Sequence, residues 1–156
     1  MKETAARNFQ VHYYEKDGEE NTWVVESHLA DDPHDITVTV EIDMPAMTVT
    51  GAKIHFERCP MEQCRPVEQK AAELIGLKVD PSFSRNVMRI FMGPYGCPNI
   101  MTLLTIAVPG IIYYYYPYLM KTGKMTPEQF WAIMKAEHPT DCAAHTAAFT
   151  QQESAD

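Results

Sequence analysis

The segment Ile36-Thr37-Val38-Thr39-Val40-Glu41-Ile42-Asp43 decides the fold, because apolar and polar residues alternate along it without exception. Side chains of a β-strand point alternately to the two faces of a sheet. The alternation therefore predicts a strand with one buried and one solvated face. The residues expected on the buried face are Ile36, Val38, Val40 and Ile42.

Three further segments around this strand have strand-like composition, namely 9–14, 22–29 and 48–57. The residues between them are typical of tight turns: Lys16-Asp17-Gly18, Asp31-Asp32-Pro33 and Asp43-Met44-Pro45. Connections this short join neighbouring antiparallel strands. The N-terminal half is therefore predicted to form a four-stranded antiparallel sheet.

The C-terminal half has the start and stop residues of helices. About four helices are expected, over 66–76, 80–93, 97–109 and 126–137. The last begins with Thr126-Pro127-Glu128-Gln129, which has the form of a capping box. The predicted fold class is α+β, with the helices packed on one face of the sheet. A single domain is expected over 1–139, followed by a mobile polar tail over 140–156.

The charge of the chain is concentrated in its first half. The net charge is −8, and residues 1–80 contain 8 basic against 16 acidic side chains, whereas residues 81–156 contain 5 of each. This balance argues against binding to nucleic acid or to an anionic membrane. The chain opens on polar residues without an apolar segment, so a cytoplasmic location with reduced cysteines is expected.

The segment 90–120 contains no charged residue and is long enough to cross a bilayer. Several prolines interrupt it, so a buried core or an oligomer interface is the better interpretation, and no membrane partner is expected. Within it, the tract Ile111-Ile112-Tyr113-Tyr114-Tyr115-Tyr116-Pro117-Tyr118 presents more aromatic surface than one subunit readily buries. A homo-oligomer that associates through this tyrosine-rich tract is therefore expected.

Three of the four cysteines lie near predicted helix starts: Cys59, Cys64 and Cys97. A thiol at such a position faces free backbone N–H groups, which favour thiolate and thus metal or sulphur chemistry. Three thiols form most of a tetrahedral zinc or iron–sulphur site, with His55 or His34 as a further ligand. The alternative is that each cysteine is a small buried apolar residue without a chemical role.

The order of several motifs resembles that of a bacterial domain family of unknown function. They are Lys16-Asp17-Gly18, Trp23-Val24-Val25-Glu26, His34-Asp35-Ile36, the pair Cys59 and Cys64, Leu74-Ile75-Gly76-Leu77, Phe83 and Gly96-Cys97. The family pattern ends in Gly-Cys-x-His-Leu, so Asn99 stands here in place of a histidine. The succession of strands, cysteine turn and helix also resembles iron–sulphur assembly scaffolds of the IscU and NifU type. That likeness implies the fold more than the function.

Two functions are compatible with these features. The first is binding of a metal, an iron–sulphur cluster or a persulfide through Cys59, Cys64 and Cys97, with His55 as the remaining metal ligand. The second is a non-enzymatic homodimeric interaction protein with structural cysteines. No catalytic residues are assigned, because the sequence offers no base and oxyanion arrangement for a cysteine nucleophile.

Overall fold

The computed structural model describes residues 2–138, 140 and 142–150. Four strands form one antiparallel sheet in the order β1-β2-β3-β4. The strands are β1 (Asn8–Glu15), β2 (Thr22–Ala30), β3 (Asp35–Asp43) and β4 (Thr48–Arg58). The predicted α+β class and the four-stranded sheet are confirmed.

The alternation that predicted β3 also positions the core. Val25 of β2 is paired with Val40 of β3, and Leu29 of β2 with Ile36, so the apolar side chains share one face. All four predicted residues of that face are at most 1% exposed. Ser27 lies in the same row, and its buried hydroxyl donates to the carbonyl oxygen of Val38 at 3.5 Å. The sheet thus has one apolar face, as predicted.

Helical segments follow the sheet in the chain. They are a 3-10 helix (Glu62–Leu74), α1 (Phe83–Phe91), α2 (Pro98–Ala107), a short 3-10 turn (Pro109–Ile111), α3 (Ile112–Lys121), α4 (Pro127–Glu137) and α5 (Ala143–Thr150). The long 3-10 helix packs against β4, and α2 packs against β2 and β3. Helix α1 packs against the long 3-10 helix and against α2.

The first helical segment differs from the prediction, because it begins at Glu62 instead of Pro66 and winds as a 3-10 helix. Pro66 lies inside it. Proline has no N–H to donate, and its ring crowds the preceding turn of an α-helix, which favours another winding here. The end agrees with the prediction, since Gly76 has a φ of +87° just after the C-cap.

Two helices were not predicted as separate elements. The tyrosine tract has aromatic residues at nearly every position and so shows no helical or strand period, yet it forms α3. Helix α5 lies within 140–156, where the sequence predicted a mobile tail. Residues 151–156 of that tail lie outside the described part of the chain.

Contacts between Cα atoms divide the chain into two compact units, one ending at Ile111 and the other beginning at Ile112. The first unit contains the sheet, the long 3-10 helix, α1 and α2. The second contains α3, α4 and α5. This boundary falls inside the single domain that was predicted over 1–139. The single domain stays a prediction.

Candidate functional site

The three cysteines of the predicted site occupy different local positions. Cys59 follows β4, and its thiol donates to the carbonyl oxygen of Met61 at 3.3 Å. Cys64 lies in the first turn of the long 3-10 helix. Cys97 is the N-cap of α2, and its side chain makes no capping hydrogen bond. All three side chains are half-buried.

His55, the fourth predicted ligand, lies on the open face of the sheet. Its neighbours Ile54 and Phe56 are buried on the other face, as the alternation predicted. The two ring nitrogens of His55 lie 3.3 Å from Glu57 and 3.6 Å from Glu68. Among the residues that the structure describes, no group of three or more His, Cys, Asp or Glu side chains is arranged to hold a metal ion.

A polar cluster surrounds the turn between β2 and β3; the sequence predicted this turn and named His34 as a possible ligand, but it did not predict the cluster. One carboxylate oxygen of Asp31 accepts from the backbone N–H of His34 at 2.8 Å and lies 2.9 Å from His34 Nδ1. The other oxygen lies 2.6 Å from the Arg7 guanidinium. The Asp31 side chain is only 7% exposed. A mostly buried carboxylate is thus fully engaged by two partners.

This cluster connects the segments that carry Cys59 and Cys97. Arg7 also donates to the side-chain oxygen of Asn99 at 3.1 Å, two residues after Cys97. Arg58, which precedes Cys59, donates to the carbonyl oxygen of Asp31 at 2.8 Å. Both cysteine-bearing segments therefore adjoin the Asp31 turn.

The chemistry of the turn follows from its hydrogen bonds. Burial opposes ionisation of Asp31, but the hydrogen bonds from His34 and the charge of Arg7 outweigh it and lower the pKa of the carboxyl group. Since an ionised carboxylate only accepts, His34 Nδ1 must carry a proton. In the neutral ring, Nε2 then has the free lone pair, so His34 is oriented as an acceptor or ligand.

A shallow groove of about 470 Å³ lies beside this turn. It is lined by the N-terminal residues Glu3–Ala6 and Asn8 and by Ala30–Asp32. An aspartate side chain often accepts from the backbone of the turn that it begins. The spacing of Asp31 and His34 was therefore the sequence signal that could have indicated this contact. The Arg7–Asn99 contact joins residues 92 positions apart, so no local pattern indicates it.

The second unit has a different kind of surface. Tyr113 and Tyr114 of α3 are 64% and 54% exposed. Tyr116 is instead buried, and its ring lies 6.3 Å from that of Phe130 in an edge-on contact. Burial, followed by the charge of Glu137, raises the pKa of the Tyr116 hydroxyl. Helix α3 thus has both anchored and solvent-facing tyrosines.

The helical stretch Pro98–Lys121 is long and apolar enough to cross a membrane by length and composition alone. Its most apolar window has a mean hydropathy of 1.3 and is 39% buried. Core helices of globular proteins also meet these criteria, so this stretch is weak evidence for a membrane span. Within the described residues it is the single stretch of this kind.

Comparison with known proteins identifies a family for most of this chain. The model of a family described as "Protein of unknown function (DUF2889)" matches residues 5–111, more than half of the chain. The matched region ends at the same residue as the first structural unit. No curated protein and no solved structure matches. The resemblance to iron–sulphur assembly scaffolds therefore stays a prediction.

Proposed function

Since this chain belongs to the DUF2889 family, whose function is unknown, we propose a function from the surfaces that it exposes. It is a non-enzymatic interaction protein that self-associates through α3. The observation that carries the proposal is the exposure of Tyr113 and Tyr114 on a helix without a charged side chain before Lys121. Because α3 lies outside residues 5–111, the role is proposed for this chain and not for its family.

The chemistry of the tyrosine surface favours a second copy of the chain as its partner. A two-fold interface brings identical surfaces together, so equal charges would repel across it. A tyrosine hydroxyl both donates and accepts, and therefore complements its own copy. The excess of acidic side chains lies in residues 1–80, away from α3 in the chain. An uncharged aromatic surface is thus suited to self-association.

Pro117 adds a backbone acceptor to this surface. It lies inside α3 and has no N–H, so the carbonyl oxygen of Tyr113 cannot receive the usual helical bond from position 117. The oxygen belongs to a residue whose side chain is mostly exposed. In the proposed dimer, this oxygen is a backbone acceptor for a tyrosine hydroxyl of the second copy.

Light scattering on the purified chain tests the proposal. We expect a dimer, and we expect Tyr113→Asp with Tyr114→Asp to raise the dissociation constant by at least about thirtyfold, because loss of central interface aromatics costs 2 kcal/mol or more. Tyr116 is left intact because its ring packs within the second unit. Tyr95→Asp is the matched control, since Tyr95 is 82% exposed but lies in the first unit.

A wild-type monomer at high protein concentration would overturn self-association through α3. If that monomer co-sediments with vesicles of neutral phosphatidylcholine and the double aspartate variant does not, then lipid, and not a second copy, covers the tyrosines.

A second candidate function is binding of zinc, an iron–sulphur cluster or a persulfide through the cysteines. It is favoured by the polar cluster at Asp31, which adjoins the segments that carry Cys59 and Cys97. Anaerobic purification followed by metal and labile-sulfide analysis tests it. About one metal ion or cluster per chain would support this function. Metal-free and sulfide-free protein that does not take up zinc would remove it.

A further inference from the structure

Two of the cysteines are held by the same backbone oxygen. The carbonyl oxygen of Met61 accepts from the Cys59 thiol at 3.3 Å and from the backbone N–H of Cys64 at 3.0 Å. The sulphur of Cys64 is three bonds from that nitrogen, and rotation about χ1 alone changes its position relative to Cys59. The turn between β4 and the long 3-10 helix therefore places both cysteines at one backbone oxygen.

Two side chains of the long 3-10 helix bond the backbone of one residue of β4 near this turn. The backbone N–H of Phe56 donates to Glu68 at 2.7 Å, and its carbonyl oxygen accepts from Arg65 at 2.8 Å. Both partners belong to the long 3-10 helix, so the helix that follows the turn is bonded to the strand that precedes it. Pro60 also restricts φ inside the turn. Neither attachment involves the side chain of Cys59 or Cys64.

The two remaining cysteines lack this arrangement. Cys97 occupies the N-cap position of α2 without a side-chain capping bond, and the sulphur of Cys142 accepts from the backbone N–H of His145 at 3.5 Å in the second unit. Cys59 and Cys64 are both half-buried, so small reagents reach them while the turn still limits their separation. The weak S–H donor of Cys59 gives up only one weak hydrogen bond on reaction.

We propose that Cys59 and Cys64 form a dithiol site that is oxidised to an intramolecular disulfide by a low-molecular-weight disulfide. In the first step one cysteine thiolate attacks a sulphur of the reagent, forms a mixed disulfide and releases one reagent thiolate. In the second step the other cysteine thiolate attacks the protein sulphur of the mixed disulfide and releases the second reagent thiolate. Two protein thiols and one disulfide become one protein disulfide and two free thiols.

This site goes beyond the proposed self-association and is independent of it. It lies in the first unit, within the residues that match the family, whereas α3 lies in the second. Closure would join the end of β4 covalently to the beginning of the 3-10 helix. The result of the dimerisation test therefore does not decide whether the disulfide forms. The result of the disulfide test likewise does not decide whether the chain dimerises.

The test treats the reduced full-length chain with oxidised glutathione, with a chelator present so that no metal protects the thiols. Samples are quenched in acid, alkylated and examined by peptide mass spectrometry. We expect a disulfide between Cys59 and Cys64, with the glutathione adduct on either residue below about one tenth of that product, because the second thiol has a high effective concentration. Cys142→Ser should leave the result unchanged, since Cys142 is an exposed cysteine of the second unit.

The variants Cys64→Ser and Cys59→Ser supply the matched comparison. Each retains one thiol of the pair, so the first step proceeds and a stable glutathione adduct should accumulate on the remaining cysteine. Accumulation of that adduct on the wild-type chain to the same level as on the variants would overturn the proposal. So would a wild-type chain whose two cysteines react with glutathione only after denaturation.

Discussion

At the scale of single residues, Asp31 combines burial with complete hydrogen bonding. Its two carboxylate oxygens are engaged by His34 and Arg7, and its carbonyl oxygen by Arg58. A carboxylate left without these partners in the same place would be unfavourable, since desolvation acts against its charge. Asp31 therefore stabilises the turn more strongly in its ionised form than in its protonated form.

We expect Asp31→Asn to lower the melting temperature by several degrees at pH 7. The pKa of Asp31 is lower in the folded state than the unfolded value of about 3.9, so its contribution is fully present above that pH and is lost as pH falls through the folded pKa. The difference between wild type and variant should therefore shrink below about pH 4. Thermal unfolding followed by circular dichroism from pH 7 to pH 3 measures it.

The exposed neighbour Asp32 provides the control for this experiment. It belongs to the same turn and carries the same charge, but the solvent screens it. Asp32→Asn should change the melting temperature much less at every pH. A constant difference between wild type and Asp31→Asn across the whole pH range would contradict the role assigned to the Asp31 charge.

At the scale of elements, α4 begins with a complete capping box. The hydroxyl of Thr126 accepts from the backbone N–H of Gln129 at 3.2 Å, and the Gln129 side chain accepts from the N–H of Thr126 at 2.9 Å. Two N–H groups that the helix itself cannot satisfy are thereby bonded. The start of α4 is consequently fixed by two side chains from its own sequence.

Thr126→Ala should destabilise the start of α4 by about 1 kcal/mol, because it removes one half of the capping box. Backbone hydrogen exchange at Gln129 should become about fivefold faster, which corresponds to that free energy. Thr102→Ala is a suitable control, since the Thr102 hydroxyl only donates back to the carbonyl oxygen of Pro98 within α2. Equal protection of Gln129 in wild type and Thr126→Ala would exclude the cap as a stabilising element.

Local patterns allowed much of the fold to be predicted. The alternation of β3 and the capping box of α4 depend on residues within a few positions of each other, and both agree with the structure. The Asp31 cluster instead depends on Arg7 and Asn99, whose contact arises only after the sheet and α2 have packed. The placement of cysteines near helix starts was predictable, but their mutual arrangement depends on tertiary packing.

At the scale of the whole molecule, the compact first unit and the family match both end at residue 111. Val108 and Ile111 are the last two buried residues of this unit, and each is at most 1% exposed. We expect a chain truncated after Ile111 to fold cooperatively, as measured by its near-ultraviolet circular dichroism and thermal unfolding. A chain truncated after Ala107 loses both buried side chains and should unfold at least 10 °C lower, because each contributes about 2 kcal/mol.

The order of the strands has a consequence for folding kinetics. Each strand pairs with its neighbour in the chain, and the connections span only residues 16–21, 31–34 and 44–47. Closing such short loops costs little entropy, and sheets built from sequential hairpins have low contact order. The strands can therefore assemble one hairpin after another as the chain leaves the ribosome, before the residues of α2 that will cover them have been synthesised.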